Sequence, residues 1–134
     1  EQGMMIQTAD TLRYLYMGGR IGKAQHLLGS LLNIKPLIGM KDGEIVALGT
    51  ARSRLKAYRR IVELMQQRVG EGAYIKVAFT HVAAKDHMEK LQAMVTAHFD
   101  CSEIIVTELS PALAVHSGPG TVGVSFFPVG RPCR

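Results

Sequence analysis

Tyr74-Ile75-Lys76-Val77-Ala78-Phe79-Thr80-His81 is the stretch from which the fold is read. Ile75, Val77 and Phe79 alternate onto one face, and Ala78 keeps the other partly apolar, the period of a strand with one well-buried face. The segment Ala84 to Phe99 follows, where Met88, Leu91, Val95 and Phe99 draw the stripe of an amphipathic helix. Glu103 to Leu109 then reads as a second strand, centred on Ile104-Ile105-Val106. Strand, helix and strand in that order predict a right-handed crossover.

Upstream, Ser53 to Val69 reads as the longest helix, with Leu55, Tyr58, Val62, Met65 and Val69 as its buried stripe and Gly70 and Gly72 ending it. Before it, Asp42-Gly43 sits between two apolar runs, the strongest short signal for a hairpin. Its strands are Ile34 to Met40, with Pro36 near the strand's start or at an edge, and Glu44 to Leu48 or slightly beyond. Thr8 to Met17, stopped by Gly18-Gly19, predicts a short helix in which Leu12, Leu15 and Tyr16 share a face. A second, from about Gly22 to Leu32, follows through Ala24, Leu27, Leu28, Leu31 and Leu32. The two would form a helical hairpin with Arg20 at its corner. Downstream, Thr121 to Val129 gives a last strand. The expected fold is α/β: a two-layer sandwich, a mixed β-sheet with helices packed mainly on one face, preceded by a helical hairpin.

A chain of 134 residues, 47% of them apolar, suits one domain with a continuous core. No apolar run approaches the ~18 residues of a membrane span, so no stable membrane insertion is expected. Glu1-Gln2-Gly3-Met4 has neither the basic start nor the apolar centre of a secretory signal, and position 1 is not Met, so a fragment is expected. Cys101 and Cys133 make neither a disulfide framework nor a metal cluster, which places the chain in a reducing cytoplasm. The tail Gly130-Arg131-Pro132-Cys133-Arg134 reads as disordered. The net charge is +5, and Arg52, Arg54, Lys56, Arg59 and Arg60 place five positive charges in nine residues with no acid among them. That is the wrong sign for a helix start, whose dipole prefers anions. A solvated face and a partner surface account for it equally well.

The loop Leu109-Ser110-Pro111-Ala112-Leu113-Ala114-Val115-His116-Ser117-Gly118-Pro119-Gly120 sets one histidine before a Gly-Pro-Gly turn. Such a turn can leave amide donors free for a ligand oxygen near His116, although a tight turn beside a histidine is the simpler reading of the spacing. His26, His81, His87, His98 and His116 are scattered, and no pair has the helical spacing that with a third ligand would argue for zinc, so no metal and no cofactor is expected. His81 and His116 follow strands and are the better ligand candidates; His26, His87 and His98 read as surface residues. No complete catalytic constellation is present, and no Gly-x-Ser-x-Gly elbow. The seven methionines fit core packing or a site for an elongated apolar ligand. Two rivals stay open: a phosphate-binding enzyme domain using residues 116–120, although phosphate loops open helices rather than strands, and a basic nucleic-acid-binding module using Arg52 to Arg60, which lacks interleaved aromatics.

Four segments in register carry a resemblance. They are Thr11-Leu12-Arg13-Tyr14-Leu15-Tyr16-Met17-Gly18-Gly19-Arg20-Ile21, Leu32-Asn33-Ile34-Lys35-Pro36-Leu37-Ile38 with Asp42-Gly43, Ala51-Arg52-Ser53-Arg54, and His116-Ser117-Gly118-Pro119-Gly120. In that order and spacing the chain resembles the C-terminal half of the DegV family, bacterial fatty-acid-binding proteins. The resemblance implies a lipid-binding domain over residues 1–129 that lacks the family's N-terminal domain. It implies one long-chain fatty acid held between the two domains by a non-catalytic subunit. A separate fatty acid kinase catalytic subunit would then phosphorylate the carboxylate, feeding phospholipid synthesis. Carried over by residue, His116 would join the carboxylate hydrogen bonds with Arg20 near that polar end, and Arg52 would help dock the kinase; Ser117 and Gly118 beside His116, and Arg54 beside Arg52, are expected to share those roles, while Leu27, Leu28, Leu31 and Met65 would line the acyl chain, a stripe that core packing alone would also produce. Tyr16-Met17 departs from the basic residues common before Gly-Gly.

Overall fold

A computed structural model describes residues 3–11, 13–19, 21–24, 34–109 and 118–132. The elements are β1 (Met4–Thr8), α1 (Arg13–Met17), β2 (Lys35–Lys41), β3 (Glu44–Ala51), α2 (Arg54–Val69), β4 (Tyr74–His81), α3 (Lys85–His98), β5 (Asp100–Glu108) and β6 (Val122–Pro128). The strands form one sheet in the order β3-β2-β1-β6-β4-β5. Neighbours are antiparallel except β4 and β5, which run parallel on either side of the α3 crossover. The mixed sheet and α/β class are as expected from the sequence.

Both long helices cover the same face of the sheet. Tyr58, Ile61, Met65, Met88, Leu91 and Val95 bury against Ile6, Leu37, Ile75, Val77, Phe79, Val122, Val124 and Phe126. The alternation of β4 is realised, with Ile75, Val77 and Phe79 all buried. Met65, grouped with the acyl-chain contacts on the resemblance, is fully buried in this core. Leu55 is a correction: it is exposed, and the α2 stripe runs instead through Ala57, Tyr58, Ile61, Val62 and Met65. Leu55 sits about 90° round the helix from the centre of that stripe. The hairpin signal holds: Asp42 and Gly43, with φ of 53° and 77°, join β2 to β3 in the twist-matched turn.

The N-terminal helix expected over Thr8 to Met17 is shorter than the sequence predicts, and a strand precedes it. Thr8 belongs to β1, its hydroxyl donating to the Pro36 carbonyl at 2.9 Å, and the helix spans only Arg13–Met17, with Tyr16 exposed. β1 lies between β2 and β6 near the middle of the sheet, paired to both. Five residues rich in methionine carry little strand signal of their own; their backbone groups are satisfied by strands distant in sequence. Gly22 to Ala24 form a single tight turn, and Ile21 and Ala24 pack with Ile38, Ile45 and Ala47 on the face opposite α2 and α3. The rest of the second expected helix lies outside the described residues.

Residues 130–132 correct the expectation of a disordered tail. Arg131 pairs with Asp100 at 2.7 Å, donates to the Gly72 carbonyl at 3.2 Å and stacks 5.2 Å from the Tyr74 ring centre. Cys133 and Arg134 lie outside the described residues.

Phe79 is fully buried in the core beneath the helices, so Phe79→Ala is expected to lower unfolding free energy by about 3 to 5 kcal/mol in urea denaturation. A loss below about 1 kcal/mol would mean the core closes differently.

Candidate functional site

The turn that ends the His116 loop is built by short-range hydrogen bonds. Gly118 and Gly120 have φ of 83° and 91°, backbone states that side-chain-bearing residues rarely adopt. The Thr121 hydroxyl donates to the Gly118 carbonyl at 2.9 Å. The turn is also pinned to the end of β4: Gly120 N–H donates to the Val82 carbonyl, and Val82 N–H to the Thr121 carbonyl, both at 2.9 Å. The Gly120 amide is therefore engaged within the chain, which corrects the expectation that it is free for a ligand. Gly118 is buried. His116, Ser117, Arg20, Leu27, Leu28 and Leu31 lie outside the described residues.

One arginine ties this turn to the rest of the site. Arg54, the first residue of α2, donates through Nη1 to the Gly120 carbonyl at 3.1 Å, while its Nη2 meets Asp10 Oδ2 at 2.5 Å. The other Asp10 oxygen lies 3.3 Å from Lys35 Nζ. The end of β1, the start of β2, the start of α2 and the turn before β6 thus meet at one charged cluster. Gly120 has no room for a side chain there, since a Cβ would stand 2.6 Å from Asp10 Oδ2 and 2.9 Å from Arg54 Nη2. Asp10 carries no motif in the sequence; its role depends on β1, which the sequence reading did not find.

A basic cleft of about 740 Å³ opens beside this cluster, lined by Lys35, Arg52, Ser53, Arg54, Leu55, Tyr58, His87 and Lys90. Of the two arginines given a docking role on the resemblance, Arg52 is exposed, whereas Arg54 is part-buried and engaged on both sides. Ser53, placed inside the helix by the sequence reading, stands just before α2 and caps it by accepting from Lys56 N–H at 3.2 Å. Burial pushes the Tyr58 phenol up; the Arg54 guanidinium beside it pulls the other way, and Asp10 adds to the rise. His87, read from the sequence as a surface residue, is half-buried here. It is held below its ordinary value by burial and by the positive charges of Arg54 and Lys90, against a smaller opposite pull from Asp10 and Asp86.

His81, the strand-end candidate, is buried, and its Nδ1 accepts from the Ala84 N–H at 3.1 Å where α3 begins. It thereby satisfies the backbone N–H of the N-cap residue Ala84, while α3 itself has no side-chain cap. It borders a second cavity of about 560 Å³ shared with Asp86, His87 and Glu108. Among the described residues, no three His, Cys, Asp or Glu side chains group closely enough to hold a metal ion. No helix among them is long and apolar enough to cross a membrane.

Residues 1–129 match the family described as "Uncharacterised protein, DegV family". The chain belongs to the DegV family. A DegV domain-containing protein of Streptomyces coelicolor is 39% identical over 116 residues, covering 86% of this chain and 41% of its own length. A DegV family protein from Thermus thermophilus, described for its fatty acid binding, superposes with a TM-score of 0.88 at 33% identity, over 95% of this chain and 46% of its own. A stearic acid-binding protein from Eubacterium ventriosum superposes at 0.73 with 26% identity, over 95% of this chain and 45% of its own. The chain thus spans less than half the length of these relatives.

Two outcomes follow from the cluster. Gly120→Ala should cost about 1 to 3 kcal/mol in urea denaturation from backbone strain, with further loss as Asp10 and Arg54 are forced apart; wild-type stability would show that the turn relaxes freely. With His87 held below 6.5, the unfolded chain takes up a proton first as pH falls. Stability should therefore decline below pH 6.5 until the folded His87 is protonated too, and His87→Gln should flatten that part of a denaturation-versus-pH profile.

Proposed function

We propose that this DegV chain is the C-terminal half of a non-catalytic protein that holds one long-chain fatty acid. The observation carrying the reading is its likeness, over 95% of its length, to the Thermus thermophilus DegV protein described for fatty acid binding. Physical chemistry supports it. An acyl tail gains about 0.8 kcal/mol per buried CH₂, so a long chain gains on the order of 10 kcal/mol before ordering costs. Its carboxylate must then meet donors, because an unpaired buried charge is expensive.

In this reading His116, Arg20, Ser117 and Gly118 receive the carboxylate, and Leu27, Leu28 and Leu31 line the tail. Support comes from the anchoring of the Gly118–Gly120 turn by Arg54 and Val82, which gives the loop a rigid base. The other half of the site comes from the N-terminal domain of the longer protein. The carboxylate is presented to a separate kinase subunit, which makes the acyl phosphate used in phospholipid synthesis, in the cytoplasm. Exposed Arg52 contributes to docking that subunit, and Arg54 positions the turn from beneath.

Native mass spectrometry of the two-domain protein purified from bacteria should find co-purified fatty acid, and an apo protein indifferent to added palmitate or oleate would overturn the reading. Arg52→Ala should weaken acyl-phosphate formation with the kinase about tenfold at unchanged acyl affinity. Loss of acyl affinity in that variant would put Arg52 in the ligand site instead.

A further inference from the structure

Among the described residues, the two edges of the sheet are not alike. The strand order puts β3 at one margin and β5 at the other. β3 is guarded. Its pairing with β2 shifts register at Leu37 and Ile38, and Gly22 stands so close that a Cβ would lie 2.7 Å from the Ile45 carbonyl oxygen. β5 shifts register near its start, opposite Ile75 and Lys76 of β4, and from Glu103 to Glu108 it pairs without a break. That run holds no proline, glycine or lysine. Ile104, Ile105 and Val106 at its centre are 40%, 52% and 46% exposed. A long apolar edge with unpaired backbone groups is a template for another strand.

The hydrogen bonds of β5 decide which of its groups face outward. Leu109 N–H donates to the His81 carbonyl at 2.9 Å, so Leu109 turns its backbone toward β4. Backbone groups alternate in direction along a strand. Glu103, Ile105 and Thr107 therefore bond to β4, while Ile104, Val106 and Glu108 present N–H and C=O to the open side. Side chains alternate as well. Ile104 and Val106 share a face with their buried partners Val77 and Phe79, and Ile105 lies on the other face beside Ala78. Because α3 packs over β4 and β6, Ile104 and Val106 stay uncovered on the helix side.

We propose that β5 pairs antiparallel with β5 of a second copy of this chain, about a twofold axis at Ile105. In that register Ile104 of one copy and Val106 of the other exchange two backbone hydrogen bonds, and the twofold repeats the pair. The groups that face outward are the ones this pairing uses. Side chains agree with it on both faces: Ile105 meets Ile105, Ile104 meets Val106, and Glu103 stands opposite the neutral Thr107. Shifting the axis by one residue either way sets Ile105 against Glu103 or Ile104 against Glu108. The strand thus fits itself in one register better than in its neighbours, which is why the occupant is a second copy.

Sedimentation equilibrium of this chain and of the longer two-domain protein, each over a range of concentrations, tests the proposal, which does not rest on the fatty-acid reading. A reversible monomer–dimer equilibrium is expected in both. Ile104→Glu and Val106→Lys should each weaken association about tenfold, since each substitution spoils two apolar pairs. An equimolar mixture of the two variants should recover most of the loss. There the new acid and the new base oppose each other at one pair, while Ile104 and Val106 remain at the other. Recovery in the mixture also shows that both variants are folded. A monomer at every concentration, dimers indifferent to both substitutions, or no recovery in the mixture overturns the proposal. So does a dimer of this chain that the two-domain protein lacks, which would assign the β5 edge to the N-terminal domain.

Discussion

Four stretches far apart in the chain meet around Arg54 and its partner Asp10: the residues after β1, Lys35 opening β2, α2 itself, and Gly120 before β6. A part-exposed ion pair alone stabilises little. Here one planar group serves a carboxylate on one side and a backbone carbonyl on the other, so its value is geometric. It sets where the turn after the His116 loop stands relative to the start of the longest helix. The missing side chain at Gly120 is the condition for this, because the cluster occupies the space a Cβ would take.

The sheet is used asymmetrically. α2 and α3 seal one face, and their apolar stripes account for the main core. Among the described residues, Ile21 and Ala24 cover the β2 end of the other face. Met40, Ile105 and Phe127 are exposed along a cavity of about 590 Å³ there. α2 links β3 to β4 and α3 links β4 to β5, and both connections pass over the same face.

Charge is distributed with a similar economy. Elsewhere basic residues find acids at the surface, as Arg60 does with Glu63 and Lys76 with Glu103. At the start of α2 two of them, Lys35 and Arg54, share one acid, Asp10, at the edge of the cleft they line with Arg52 and Lys90. Cations oppose the helix dipole at that point, and the Asp10 carboxylate offsets part of that cost. The same Arg54 links this cleft to the turn, and so places the two regions side by side.

Local rules settled much of the chain. The alternation of Ile75, Val77 and Phe79, the Asp42-Gly43 turn and the α3 stripe each depend on neighbours within a few residues, and all are realised. The four motifs in register similarly named the family. Tertiary structure alone decided the rest. β1 became a central strand because β2 and β6 supply its hydrogen bonds, Leu55 was turned outward by the orientation of α2, and Arg131 was anchored by Asp100 and Tyr74. Asp10, Lys35, Tyr58 and Lys90 gained meaning only when folding gathered them around Arg54 and its cleft. Periodicity and turn chemistry act over a few residues, whereas strand pairing and charge clustering join positions whose separation in sequence carries no local signal.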